Sequence, residues 1–186
     1  PRSASLLELR LRDSDIGVRR NAAYALGTIS AADSPYILVR NSIDQPSEVR
    51  VAILQVLSRS LREKSLAAVY EALNSSDVRY RAASAYLLGG LKDEKGLSKT
   101  LQDEDSTVRK NSALAVGSAQ LNVLIPLLVP MLNDSEWRVR AAAAEGLKRL
   151  QNPKVIPSLK GRREVESHSV VISALDSSIS SLTLSS

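Results

Sequence analysis

The 186 residues contain one histidine, His168, and no cysteine, and this bounds the chemistry open to them. Without a thiol there is no disulfide framework, no zinc–thiolate site and no cysteine nucleophile. A lone imidazole has no fellow histidine for a metal site, and no serine constellation is marked out around it. Asp13-Ser-Asp15 and Asp103-Glu-Asp105 pair carboxylates as a calcium loop does. They lack the glycine and the distal glutamate of an EF-type loop, so helix capping is the better reading. Gly89-Gly90 ends an apolar pattern and opens none, so it is no phosphate cradle. These residues predict no catalytic centre, no metal site and no cofactor. Arginine is the reactive type that recurs, at 19, 50, 81, 109 and 140, with His168 in a sixth such place.

The intervals between those anchors are 31, 31, 28, 31 and 28 residues, and each anchor carries the same frame. Val18-Arg19 is followed by Ala22, Ala25, Leu26 and Gly27. Val108-Arg109 is followed by Ala113, Ala115, Val116 and Gly117. Tyr80-Arg81, Val139-Arg140 and the more divergent Val49-Arg50 repeat the pattern, and Val171, Ala174 and Leu175 follow His168. A fixed period of this length is the sequence mark of stacked structural repeats.

Each copy reads as two helices. Twelve before the anchor stands an aliphatic residue (Leu7, Leu38, Val69, Leu97, Leu128, Ile156), and eight before it Leu11, Leu73, Leu101 and Leu132. That is one face of a first helix. A polar turn follows, such as Asp13-Ser-Asp15, Ser75-Ser-Asp77 or Asp134-Ser-Glu136, whose oxygens suit the free N–H groups and positive end of the next helix. The second helix then sets Val18, Ala22, Ala25, Leu26 and Ile29 on one face, with small residues that let neighbouring helices approach closely. One such hairpin cannot bury its apolar face alone, but stacked copies share a continuous core. A composition without phenylalanine, rich in Ala, Leu and Val, fits many thin layers. An all-α fold is expected, with one domain over 1–186 and repeats at about 3–30, 34–60, 64–91, 95–119, 122–150 and 152–184.

Local signals refine this. Ser34-Pro35 reads as a capping residue followed by proline at the first helical position, a helix start. Pro126 and Pro130 should kink the fifth first helix, because a proline inside a helix removes a donor and clashes with the preceding turn. Gly161-Arg162-Arg163 is expected to form a basic turn. The last helix sets Val170, Val171, Ile172, Leu175, Ile179 and Leu182 among Ser169, Ser173, Asp176, Ser177, Ser180 and Ser181, a polar outer side fit for an end cap. The tail Leu184-Ser185-Ser186 is expected to fray.

The pattern Asp-x-Asp-x-x-Val-Arg-x-x-Ala-Ala-x-Ala-Leu-Gly, read from Asp13 to Gly27, resembles the short HEAT repeat of the phycobilisome-lyase (E–Z) type. The resemblance runs from about Leu6 to about Leu182. It implies an α-α superhelix, a HEAT-like solenoid, whose second helices line the concave surface. HEAT-like proteins serve as scaffolds, protein-binding modules, pigment-attachment helpers and nucleic-acid enzymes, so the resemblance is specific for fold. The His-Glu metal motifs of the HEAT-repeat hydroxylases are absent.

The net charge is +5; five anchor arginines with four acids six residues before them (Asp13, Asp44, Asp103, Asp134) contribute only +1, so a mild excess of +4 lies outside the frame. The excess is too mild for a nucleic-acid stripe and suits an acidic protein partner. No apolar run approaches the roughly 20 residues of a membrane span. The absence of cysteine and of a signal pattern favours an intracellular, cytoplasmic setting. Pro1 in place of methionine points to a fragment or a processed chain.

Positions that vary within the frame carry the expected function. Residues two before, one after and five after each anchor lie opposite the Val-Ala-Leu core face. Within that stripe Arg20, Tyr24, Arg79, Tyr86, Lys110 and Arg138 form a mixed aromatic and basic surface, a composition enriched at protein interfaces. Trp137 joins it or packs on the neighbouring turn. The anchors are expected to be structural, paired with nearby acids in a ladder, and His168 to be a structural substitute. A scaffold or adaptor recognising a protein partner along the stripe is the leading expectation. A subunit or chaperone of bilin attachment to phycobiliproteins, implied by the repeat subtype alone, is the first alternative. A nucleic-acid-binding module is the second.

Overall fold

A computed structural model describes residues 2–29 and 31–184. Among these residues the chain forms twelve α-helices, paired in sequence. They are α1 (Arg2–Arg10) and α2 (Ile16–Ile29), α3 (Ser34–Arg40) and α4 (Ser47–Arg59), α5 (Arg62–Leu73) and α6 (Val78–Leu91). Then come α7 (Glu94–Thr100) and α8 (Ser106–Ala119), α9 (Ile125–Leu128) and α10 (Trp137–Arg149), α11 (Ile156–Val165) and α12 (Ser169–Leu184). The fold is all-α, built of helical-hairpin layers. The helices gather into two compact units, residues 1–91 and 92–186. In the first unit α2 packs on α4 and α4 on α6, while α3 packs on α5. In the second, α10 lies between α8 and α12.

The frame explains this packing. The aliphatic residue seven after each anchor (Leu26, Leu57, Leu88, Val116, Leu147, Leu175) is fully buried in all six layers. Sealing each such side chain contributes about 1.5–3 kcal/mol. Small residues set the layer spacing. A Cβ on Gly117 would lie 2.7 Å from the Cα of Gly146, so α8 and α10 touch backbone to backbone. Gly27 of α2 similarly receives Val56 of α4.

The turns are built as capping motifs. In four turns the first residue accepts an amide two residues on: Asp15 N–H donates to Asp13, Asp77 to Ser75, Asp105 to Asp103 and Glu136 to Asp134. The second acid then caps the helix, since Val18 N–H donates to Asp15, Arg79 to Asp77 and Thr107 to Asp105. This divides two of the four free N-terminal donors between two side chains.

Several expectations are corrected. The fifth first helix is broken, not merely kinked: 3-10 turns over Asn122–Leu124 and Val129–Asn133 flank the four residues of α9. Pro126 and Pro130 each stand in the first turn of a segment, Pro126 in α9 and Pro130 in the 3-10 turn after it, where a missing N–H is tolerated. Neither can accept the continuation of a helix from the residues before it. Gly161-Arg162-Arg163 is no turn but lies within α11, held there by Arg162 to Glu166 and Arg163 to Asp176. Ser34 opens α3 but caps nothing; its hydroxyl is buried without a hydrogen-bond partner. Val18 occupies the frame place where Val49 and Val139 are sealed, yet it is 37% exposed.

In α12, Val171, Leu175 and Leu182 are sealed, and Ser169, Ser173, Asp176, Ser177 and Ser180 are exposed. Buried Ser178 donates to the Ala144 carbonyl of α10 at 3.0 Å. Ser30, at the end of the second expected helix, and Ser185 and Ser186, in the expected fraying tail, lie outside the described residues.

Candidate functional site

The arginine ladder is present in the second unit and takes an unexpected register. Arg109 does not pair with the acid of its own turn. Its Nη1 donates to the carbonyls of Asp103 and Glu104, 2.9 and 2.8 Å away, which ties it to the turn backbone. Its Nε and Nη2 reach forward to both carboxylate oxygens of Asp134 in the next layer, at 2.7 and 2.9 Å. Arg140 repeats the arrangement, donating backward to the Asp134 and Ser135 carbonyls and forward to Glu166 at 2.7 and 3.1 Å. A planar guanidinium with five donors can serve both directions, which a lysine cannot. Burial would raise the Asp134 carboxyl, but the Arg109 fork and the Glu136 N–H hold it below its ordinary range.

The last layer departs from the frame. The place six before His168 holds Arg162, and the acid has moved to Glu166. Glu166 stands at a stripe position but is buried, its side chain only 1% exposed. It accepts from Arg140, from Arg162 at 2.7 Å, and from the backbone N–H groups of Ser167 and His168. The Arg140 fork, acting against the cost of burial, holds its carboxyl well below the usual carboxylate range. The His168 ring makes no arginine-like pair. It stacks on Trp137, centroids 4.2 Å apart, and Arg138 lies over the other ring at 4.6 Å.

In the first unit the ladder is interrupted. Arg81 still donates to the carbonyls of Ser75 and Ser76, at 3.1 and 3.3 Å. Arg50, expected to be structural, keeps neither frame role. Its own turn bends through Asp44 at φ 58°. The acid awaiting it in the next layer is replaced by Ser75. Its guanidinium lies at the surface instead, 5.2 Å from the ring centroid of Tyr86. Arg50 is thus a surface residue that the anchor pattern concealed, and the missing acid at 75 is the signal that could have found it.

The predicted stripe residues fall into two patches. On the first unit, Arg20 and Tyr24 stand one turn apart on α2, and Arg79 and Tyr86 lie on α6. Tyr24 is 41% exposed and donates from its hydroxyl to Gln55 of α4 at 2.8 Å, which links α2 to α4 at the surface. Arg79 is engaged locally, its fork on the carboxylate of the capping Asp77. On the second unit, Lys110 lies on α8 and the Trp137–Arg138 pair opens α10. A cleft of about 350 Å³ opens on the first-helix side of the first unit, lined by Tyr36, Arg40, Glu71 and Tyr80 among others. Tyr80 stands where Val18, Val49, Val108 and Val139 stand in four other layers, and this departure is the sequence signal for the cleft.

Among the described residues, no group of three His, Asp or Glu side chains gathers to hold a metal. No helix there is long and apolar enough to cross a membrane.

Residues 94–180 match the family model of HEAT repeats. No curated protein sequence matches the chain. Among solved structures it is similar to human deoxyhypusine hydroxylase in complex with glycerol, at 16% identity and a TM-score of 0.55, over 99% of this chain and 85% of that one. It is similar to Cex1p at 13% identity and a TM-score of 0.58, over 98% of this chain and 42% of that one. It is also similar to the CpcE–CpcF complex of phycocyanin lyase from Nostoc sp. PCC7120, at 22% identity and a TM-score of 0.49, over 92% and 74%. Likenesses at these identities speak to fold and not to activity. The fold is HEAT-like, built of helical hairpins, and the sequence matches the HEAT-repeat model over residues 94–180.

Proposed function

We propose that the protein is a binding scaffold or adaptor that recognises a protein partner through the exposed side of its second helices. One observation carries the reading. Tyr24 and Tyr86 hold the same frame position in alternate layers, on a side of the helix that the buried seam leaves open. Packing requires no aromatic there, since Gln55, Glu145 and Ser173 fill the place in other layers. Tyrosines give a rigid ring and a hydroxyl at low entropic cost, and arginine beside them is typical of binding hot spots. HEAT repeats are widely used for protein interaction, which agrees with this reading.

The test is affinity capture with the parent protein and with a Tyr24→Ala/Tyr86→Ala double variant. The variant should melt within a few degrees of the parent, because neither ring fills the seam, and its capture of the partner should weaken. Undiminished capture by the folded variant overturns the proposal. Recovery of a phycobiliprotein would turn the reading toward bilin attachment, and a nuclease-sensitive catch toward nucleic acid.

A further inference from the structure

We infer that the first unit carries a recognition patch for an acidic peptide segment bearing an apolar side chain, with Arg50 as a binding residue. The inference rests on the partner-binding reading above and names the partner's chemistry.

The first observation is the release of Arg50. Arg81, Arg109 and Arg140 donate to the backbone of their own turns, and the last two clamp an acid of the next layer. With Ser75 in the acid's place, Arg50 has no carboxylate partner among the described residues, and neither has Arg20. The Arg50 guanidinium stands over the Tyr86 ring, 5.2 Å from its centroid, a contact that leaves its edge donors open. A planar fork of this kind suits a carboxylate, which it can meet with two parallel hydrogen bonds.

The second observation is what lies between the cations. Val51 is 45% exposed, one turn before Gln55 on the same face of α4. On α2, Arg20 stands one turn before Tyr24, and Tyr24 is bonded to Gln55. The patch therefore runs Arg20, Tyr24, Val51, Gln55, Arg50 and Tyr86 across three second helices. Its one interposed acid, Glu48, is engaged by the Ser47 hydroxyl and by its own backbone N–H at the start of α4. Two arginines against this one carboxylate leave the patch net positive.

The apolar centre decides the class of ligand. A nucleic-acid backbone calls for cations at each phosphate, and here Val51 occupies the middle of the row. A peptide with carboxylates flanking an aliphatic side chain matches the arrangement position by position. Both charged ends then gain a charge-assisted hydrogen bond while the centre buries apolar surface.

The probe is a random-peptide phage library panned against the intact protein, with enriched peptides then measured by fluorescence polarisation. The expected result is enrichment of peptides rich in Asp and Glu around an aliphatic residue. Their affinity should fall about tenfold in each of Arg20→Gln and Arg50→Gln. It should be unchanged in Lys110→Gln and Arg138→Gln on the second unit. Thermal melts serve as the fold control. Arg50 holds no frame role, so its variant should unfold with the parent, and Arg50→Lys should recover only part of the affinity. Enrichment of non-acidic peptides, or of none, overturns the inference. If acidic peptides bind but respond only to the second-unit variants, the inference falls and the stripe reading stands. Insensitivity to every one of these variants and to Tyr24→Ala/Tyr86→Ala overturns both. Tighter binding of a single-stranded oligonucleotide, weakened by Arg50→Gln, assigns the patch to nucleic acid and overturns the inference as well.

Discussion

Glu166→Gln should be the most destabilising single charge change in the second unit. The parent carboxylate receives donors from two arginines and two backbone amides, and almost none of it meets water. Glutamine keeps one acceptor oxygen but turns an N–H₂ group toward the guanidiniums and removes the charge that neutralises them. Breaking a buried pair from one side costs about 3–5 kcal/mol, because the remaining charge is left uncompensated. For a chain of 186 residues, about 3 kcal/mol lowers the melting temperature by roughly 6–12 °C. The pH dependence gives an independent check. The folded carboxyl titrates below its unfolded value of about 4.3, so its contribution is complete above that value and is lost as pH falls. The loss proceeds at about 1.4 kcal/mol per pH unit until the folded group is itself protonated. Urea unfolding of parent and variant from pH 7 down to about pH 3 measures both quantities. The gap should be constant from neutrality to about pH 5 and narrow below about pH 4. A gap under about 1 kcal/mol at neutral pH, or one that stays constant to pH 3, would refute the clamp as described.

The other expectations are narrower. Arg109→Ala removes a turn tie and the Asp134 pair together and should cost about 3 kcal/mol, whereas Arg79→Ala, whose pair is exposed and screened by solvent, should leave the denaturation midpoint near the parent's. Equal denaturation midpoints for the two would show that the ladder is ornamental. Gly117→Ala would force a Cβ onto the Gly146 backbone and should cost about 1–3 kcal/mol by prying α8 from α10. Gly161→Ala, with nothing within 4 Å, should instead stabilise α11 by about 0.5–1 kcal/mol, and calorimetry separates the two signs.

The fold was legible because the frame is redundant. Leu26, Leu57, Leu88, Val116, Leu147 and Leu175 repeat one instruction, and every one of them is sealed. The ladder's register was not legible, since an acid six before its arginine is near in sequence and still turned toward the preceding layer. Reading Asp134 as the partner of Arg109 needs the stacking distance, which the period does not contain. Arg50 was misread for the converse reason. It has the anchor's spacing, but its role depends on residue 75, an apparently minor turn position 25 residues away. Glu166 sat in the stripe by counting and went inside because Arg162 displaced the acid from its usual place. Gly161 reads as a breaker until the Arg162–Glu166 and Arg163–Asp176 pairs are seen to hold its helix. Single substitutions in a repeat thus redirect its neighbours' charges without disturbing the seam.

The most direct test of the division between framework and stripe uses two tyrosines of equal exposure. Tyr24 on α2 is 41% exposed and Tyr36 on α3 is 40% exposed, so their intrinsic labelling should be comparable. Hydroxyl-radical footprinting of the protein, alone and saturated with its captured partner, compares them within one sample. Recognition through the second helices predicts that Tyr24 is protected several-fold while Tyr36 is labelled as before. Protection of Tyr36 with Tyr24 unchanged would place the partner on the first helices and contradict the account.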